Sequence, residues 1–333
     1  MTRFAVIGAG TIGTVHARNI SAHPDLTLLY AIDQHFDRAA RLAAETGAIA
    51  DSSPVAALGD SRVDAVIVAS STSSHEEHVL ACARARKPFI CEKPVSDNLP
   101  GAVACVEAAA RTGVVAAMGL NRRLDADMRE LSKRIRGGEI GAVESVHVVS
   151  RSASPPAPES VPFSGGMLRE KGAHFYDLAG WFADSEPVEV YATGGCLIDP
   201  RLGDFGDVDT AALVVRFESG ALATFQFGRR TAYGQDELVE VFGAEGMLTA
   251  GRKRAGTVEH FRGPGVTGSG IVADTYSQFA ASYVAELEVF ARAVAGEGPV
   301  HATLADGLRA QAIAEAALLS MDEGRAISLE RVW

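Results

Sequence analysis

Cysteine is scarce. The 333 residues contain four, at positions 82, 91, 105 and 196, far apart and with no CxxC pair. That spacing excludes a disulfide framework and a zinc knuckle, and predicts reduced, buried thiols in a cytoplasmic protein. Basic clusters are missing too: formal net charge is -11, from 31 basic and 42 acidic residues. No stretch could track a phosphate backbone, so nucleic acid is excluded as an expected partner. No apolar run approaches the roughly 20 residues that cross a bilayer. The opening Met1-Thr2-Arg3-Phe4 leads straight into an apolar strand without a cationic, then apolar, leader, so neither a signal peptide nor a membrane association is expected. Internal repeats and low-complexity tracts are absent. What remains, 47% hydrophobic and 22% charged residues, suits a soluble enzyme long enough for two domains, each with its own core.

The first half reads as alternating strands and helices, hence a doubly wound parallel sheet over residues 1–120. An apolar run at 3–8 ends in Gly8-Ala9-Gly10-Thr11-Ile12-Gly13, a GxGxxG turn that opens a helix reaching about Ala22. A second strand, Leu26–Ile32, ends in Asp33, twenty residues after Gly13. In a dinucleotide fold that acid bonds a ribose 2′-hydroxyl. Gly8 permits the turn, Gly10 lets backbone approach a pyrophosphate, Gly13 lets helix and strand pack, and the helix start offers unpaired N–H groups near Thr11 and Ile12. Asp33 would repel a 2′-phosphate and no arginine follows it, so NAD is expected rather than NADP. Further strands are expected at Val63–Ser70, Phe89–Cys91 and Val114–Gly119. Helices fall at 75–86 and after Asp97, read as a cap, to about Thr112.

Two loops at strand ends carry polar residues. Ser70 and Ser71 open a Ser/Thr-rich loop before His75; contact with a cofactor and helix capping are both open readings. His75 and His78 have HxxH spacing, but no further ligands stand near, which favours capping or surface roles over a metal. At Cys91-Glu92-Lys93-Pro94 a carboxylate and an ammonium appear where a strand ends, and Pro94 blocks continuation. Lys93 is then either aimed at a substrate or a surface lysine at a turn.

Residues 121–333 read as a second, α/β domain. A helix at about 126–136 leads to a strand at 143–150, a Pro-rich loop at 152–164, and a helix from about Met167 to Phe182. Strands follow at about 187–196, 208–217, 221–228, 237–242, 246–250 and 257–261, in an antiparallel or mixed sheet with one face covered. Tyr276, Phe279, Tyr283, Leu287, Phe290 and Val294 form a helical core stripe, and a last helix spans about 304–320. Glu170, His174 and Asp177 are spaced to share one helical face. Three readings stand: a solvated face, metal ligands, or a proton acceptor with substrate anchors.

These residues resemble those of the Gfo/Idh/MocA oxidoreductase family, and over nearly the full length those of its bacterial inositol 2-dehydrogenases. The motifs are Gly8-x-Gly10-x-x-Gly13, Asp33, Glu92-Lys93-Pro94, Asn121-Arg122-Arg123, Gly165-Gly166-x-Leu168 and His174-x-x-Asp177. Glu186-Pro187-Val188-Glu189-Val190-Tyr191, Gly206-Asp207-Val208-Asp209-Thr210 and Val239-Glu240-Val241-Phe242-Gly243 add to them. The resemblance implies a Rossmann domain joined to an α/β domain whose large open sheet builds a homodimer or homotetramer. It implies NAD-dependent oxidation of a secondary hydroxyl of a cyclic polyol or sugar, with myo-inositol going to 2-keto-inositol. Lys93 matches the lysine that bonds the reacting hydroxyl, and His174 the base. Glu170 would orient His174 or a neighbouring hydroxyl, from a position where the family has Asp. Arg122, Ser152, Asp177 and Tyr233 match or neighbour substrate positions; an acid partner for Arg122 and a bracing role for Asp177 are the structural alternatives. Glu92, Lys93, Ser70, Ser71 and His75 join the cofactor set. Phe175 stands where inositol enzymes often carry an acid, and Ser150 and Ser152 where some relatives have His and Asn. No metal is expected. Two other functions are compatible with the fold: an NAD-sensing regulatory protein without turnover, and a metal-dependent isomerase or hydrolase built on Glu170, His174 and Asp177.

Overall fold

The computed structural model describes residues 1–331 apart from Pro264. Val332 and Trp333, the end of the second expected domain, lie outside the described residues. The chain forms two compact units: Met1–Leu124 with Ala281–Gln311, and Asp125–Ala280 with the chain from Ala312 onward. A boundary drawn at 120/121 from sequence does not see the return of residues 281–311. Helical periodicity shows that a stripe is buried but not which sheet it covers.

In the first unit the strands are β1 (Thr2–Ile7), β2 (Leu26–Ile32), β3 (Ile49–Asp51), β4 (Ala65–Val68), β5 (Phe89–Cys91) and β6 (Ala116–Met118). They pair in parallel in the order β3-β2-β1-β4-β5-β6. The order reverses between β1 and β4, which opens a crevice at their carboxyl ends. Helices α1 (Thr11–Ala22), α2 (Phe36–Thr46), α3 (Val55–Gly59), α4 (His75–Arg84) and α5 (Leu99–Thr112) connect them. Alternate residues of the strands feed two cores. Ala5, Ile7, Val66, Val68 and Cys91 face one side; Phe4, Val6, Ala65, Ile67 and Ile90 face the other, where Leu287 and Phe290 cover them. Asn98, not Asp97, caps α5: its side chain accepts from Gly101 N at 2.9 Å, and its extended backbone leaves Leu99 as the first helical residue.

The second unit holds α6 (Ala126–Arg136), β7 (Val143–Arg151), α7 (Val161–Ser164), α8 (Gly166–Glu170) and α9 (Gly172–Ala183). These are followed by β8 (Pro187–Gly195), β9 (Thr210–Phe217), β10 (Leu222–Gly228), β11 (Asp236–Gly243) and β12 (Gly246–Gly251). After them come β13 (Glu259–Arg262), β14 (Gly265–Gly268), α10 (Thr275–Val294), α11 (Leu304–Glu323) and β15 (Ile327–Ser328). Its seven-stranded sheet runs β12-β11-β7-β10-β9-β8-β15, antiparallel throughout except for β7 and β10. Phe175 and Tyr176 on α9 pack against Phe225 and Phe227 of β10, so one face is core. Along β9 buried and exposed residues alternate strictly, the signature of a sheet with one covered face. The expected helix from 167 to 182 is two helices, interrupted at Lys171, whose ammonium turns to Ser150 Oγ at 3.0 Å. Tyr276, expected in the core stripe, is 43% exposed. Phe279 leaves helical geometry, which takes the start of α10 off the register of the rest.

Candidate active site

The turn after β1 is shaped by close backbone contact. Gly8 has φ +103°, and a Cβ there would lie 2.3 Å from the Ala69 carbonyl oxygen, in the segment leaving β4. A Cβ on Gly13 would lie 1.7 Å from the Gly8 oxygen. Gly10 differs: nothing lies within 4 Å of its would-be Cβ, so the backbone there borders open space. Gly10 caps α1 without any side-chain bond to the helix, which leaves the first N–H groups, from Thr11 on, available to an anion. Asp33 follows β2 and reaches the same turn, its Oδ2 accepting from Ala9 N and its Oδ1 from His35 N, both at 2.9 Å. The glycine cradle, open Gly10, exposed helix N-terminus and acid at the second strand together fit an NAD pyrophosphate and ribose.

The neighbouring loops meet through His75. Its Nδ1 lies 2.7 Å from the Pro94 carbonyl oxygen and its Nε2 3.1 Å from that of Ser70. Burial lowers its pKa more than these two carbonyls raise it, so the ring is neutral and donates one N–H at a time. His75 therefore ties the end of β4 to the corner that carries Lys93, while Ser70 Oγ pairs with His78 Nδ1 at 3.0 Å. Ser71 shares hydroxyl contacts with Ser73 and Ser74. Lys93 is half-buried and makes no hydrogen bond or ion pair among the described residues. An ammonium without such a partner is an available charge. Asn121 and Arg122, in a single 3₁₀ turn after β6, are buried, and Arg122 donates to Asn121 Oδ1 at 3.2 Å.

In the second unit His174 and Asp177 are buried on α9, one turn apart. Glu170 sits on the separate α8. Its side chain is 41% exposed, lies 4.0 Å from Arg229 and makes no hydrogen bond among the described residues. The expected orienting bond from Glu170 to His174 is not formed here; the Glu170 carboxylate lies toward Arg229 instead. Phe175, in place of an acid, is core. Tyr233 is 53% exposed as a residue, yet its hydroxyl donates to the buried Asp236 at 2.8 Å. Asp236 also accepts from Arg151 at 2.7 Å and Arg252 at 3.0 Å. Burial raises its pKa, but these three donors outweigh it and hold the carboxyl below its usual range. Ser152 lies just past β7, its N–H bonded to the Gly228 carbonyl oxygen. Sequence reading missed Arg151, Asp236 and the Arg229–Asp207 pair (3.0 Å). Only strand pairing, which puts Asp236 opposite Arg151, reveals the first two.

A doubly wound unit with this cradle, followed by a large mixed sheet, defines a two-unit NAD-binding oxidoreductase. The oxidoreductase-family model for an NAD-binding Rossmann fold matches residues 2–120, and the GFO/IDH/MocA C-terminal domain matches 128–249; the chain belongs to the Gfo/Idh/MocA oxidoreductase family. It is 37% identical to a myo-inositol 2-dehydrogenase of Thermotoga maritima over 99% of both chains. It is 33% identical to an inositol 2-dehydrogenase of Rhizobium meliloti, covering 98% of this chain and 99% of the relative. The crystal structure of a probable dehydrogenase from Thermotoga maritima superposes with a TM-score of 0.95 at 36% identity, over 99% of this chain and 100% of the other. No helix among the described residues is long and apolar enough to cross a membrane.

Proposed function

We propose that this protein oxidises a secondary hydroxyl of an inositol or a closely similar cyclic polyol with NAD. The observation that carries the reading is Lys93: a half-buried lysine whose ammonium has no partner among the described residues, at the carboxyl end of β5 in an NAD-binding unit. The full-length similarity to two inositol dehydrogenases supports the substrate class. NAD supplies the hydride acceptor. Gly8, Gly10 and Gly13 with the α1 N-terminus hold its pyrophosphate, and Asp33 its ribose. Lys93 stabilises the negative charge that develops on the substrate oxygen, and His174 accepts the hydroxyl proton. Arg122, Asp177, Ser152 and Tyr233 bond the other hydroxyls, Tyr233 being steadied by Asp236. Glu170, paired loosely with Arg229, orients a substrate hydroxyl.

The test is NADH formation at 340 nm with a panel of inositols, other polyols and sugars, with NAD and NADP in parallel. Turnover of an inositol with NAD is expected; no turnover of any polyol by intact protein would leave NAD sensing without catalysis as the better reading. Asp33→Ala is expected to weaken NAD binding roughly ten- to hundredfold, since two charge-assisted bonds organise the turn, and to narrow the preference over NADP; dinucleotide titration by protein fluorescence reads both. We also propose that the open face of the second sheet, with Tyr191, Val214, Leu222, Phe242 and Met247 exposed, joins copies of the chain into a dimer or tetramer. Light scattering of the wild type and of Val214→Glu checks this, with a smaller particle expected for the variant.

A further inference from the structure

One buried group of charges in the first unit has no part in the reaction as described. His16, three residues past Gly13 on α1, is fully buried, and its Nε2 lies 2.9 Å from Glu92 Oε1. Glu92 directly precedes Lys93 in the chain. Its second oxygen is held against Gly119, where a Cβ would come within 2.9 Å of it. Glu286, on α10, is also fully buried. His301 Nε2 lies 3.1 Å from Glu286 Oε1, but the N–H is not aimed along that line, so neither Glu286 oxygen receives a hydrogen bond. Ligating atoms of His16, Glu92 and Glu286 all lie within 4.8 Å of one another. Two buried carboxylates require positive charge or hydrogen-bond donors beside them.

The arrangement accounts for an otherwise odd fact about Lys93. Lys93 ion-pairs with no acid among the described residues. Glu92 is engaged by His16. We infer that His16, whose Nε2 holds Glu92 Oε1, is a positioning residue: it captures Glu92 and so keeps the Lys93 ammonium unpaired for substrate. This role rests on the proposed dehydrogenase reading.

The titrations agree in direction. Burial pushes His16 down, but the Glu92 hydrogen bond and the charges of Glu92 and Glu286 outweigh it, and the net shift is upward. Burial pushes Glu92 up, but His16, then Lys93 and His75, bring it below its usual value. The groups facing the pair are Glu286 and Tyr283 from α10, His301 beyond Glu286, and Lys93 and His75 on the Glu92 side. The sign follows. His16's share of stability is full below 6.5, its ordinary value, and is lost as pH rises through its raised folded value. Glu92's share is present above 4.5 and is lost as pH falls through its lowered folded value.

The experiment compares wild type, His16→Gln, Glu92→Gln and the double variant in the full-length protein. In His16→Gln, Glu92 is released to pair with Lys93, so kcat should fall roughly ten- to hundredfold, while the Kd for NAD moves by no more than about threefold. Adding Glu92→Gln to His16→Gln should restore part of that kcat, which a loss of packing alone would not allow. In wild type labelled with ¹⁵N-histidine, one imidazole should titrate above the ordinary histidine value of 6.5, be missing in His16→Gln, and deprotonate at lower pH in Glu286→Gln. Kinetics of His16→Gln within twofold of wild type, no recovery in the double variant, or a neutral His16 at pH 6 would each overturn the role. So would one equivalent of a divalent metal copurifying with wild type and lost in Glu286→Gln, which would make the group a cation site instead. If no polyol is oxidised at all, the dehydrogenase reading fails, while the imidazole spectra still decide whether the ion pair exists.

Discussion

Lys93→Met is expected to lower kcat by roughly a hundred- to a thousandfold, the effect of removing one preorganised donor from a developing oxyanion. Methionine keeps the length and apolar stem of the side chain and deletes only the charge. Because Lys93 bonds no other residue among those described, the substitution leaves no stranded acid partner, and Tm should change little. NAD affinity should also hold, since the glycine turn and Asp33 are elsewhere on the sheet. Steady-state kinetics, with NAD binding followed by fluorescence, separates the outcomes. Near-normal turnover would remove Lys93 from the reaction and return it to the status of a lysine at a turn.

Gly8→Ala is expected to act on the fold itself. The backbone there has φ +103°, a region in which L-residues are strained by about 1–3 kcal/mol. The new methyl would also lie 2.3 Å from the Ala69 oxygen, 2.5 Å from its carbon and 2.6 Å from Ser70 N. Those are backbone atoms that no rotamer change can move, and such overpacking costs about 1–3 kcal/mol more. A total of about 2–6 kcal/mol is a large part of a typical domain's stability. Urea unfolding should show a much lower midpoint, and any folded fraction should bind NAD poorly because the crevice between β1 and β4 is forced open. Gly10→Ala is the control: its Cβ meets no protein atom, so stability should stay near wild type and only NAD affinity should fall.

Five of the six strands of the first sheet were legible from sequence because they are written locally; β3, a three-residue edge strand, was not. Each βα unit carries its apolar run, its turn and its helix start within about thirty residues, and the GxGxxG-to-Asp33 spacing is itself a measure of one such unit. The interruption at Lys171 was not legible. Glu170 and Ala173 beside it suit a helix, and the ammonium finds its partner in Ser150, across to β7. His16 shows the same limit more sharply. A histidine on the buried side of α1 has no meaning until Glu92 and Glu286, 76 and 270 positions away, are brought to it. Tyr233 could be read from resemblance, but the acid that aims its hydroxyl, and the two arginines that keep that acid ionised, depend on strand pairing.

The return of residues 281–311 to the first unit bears on how the chain is made. The β6 edge is closed when Met118 N donates to the Ala302 carbonyl oxygen, and Gln311 Nε2 reaches the Ser96 carbonyl oxygen at 2.9 Å. Phe4, Val6 and Ile67 have Leu287 and Phe290 as their cover. An N-terminal domain usually folds while the ribosome is still adding the next. This one cannot finish until residues 281–311 have emerged, so during synthesis its half-covered sheet must wait, exposed, for a segment made after β7 to β14.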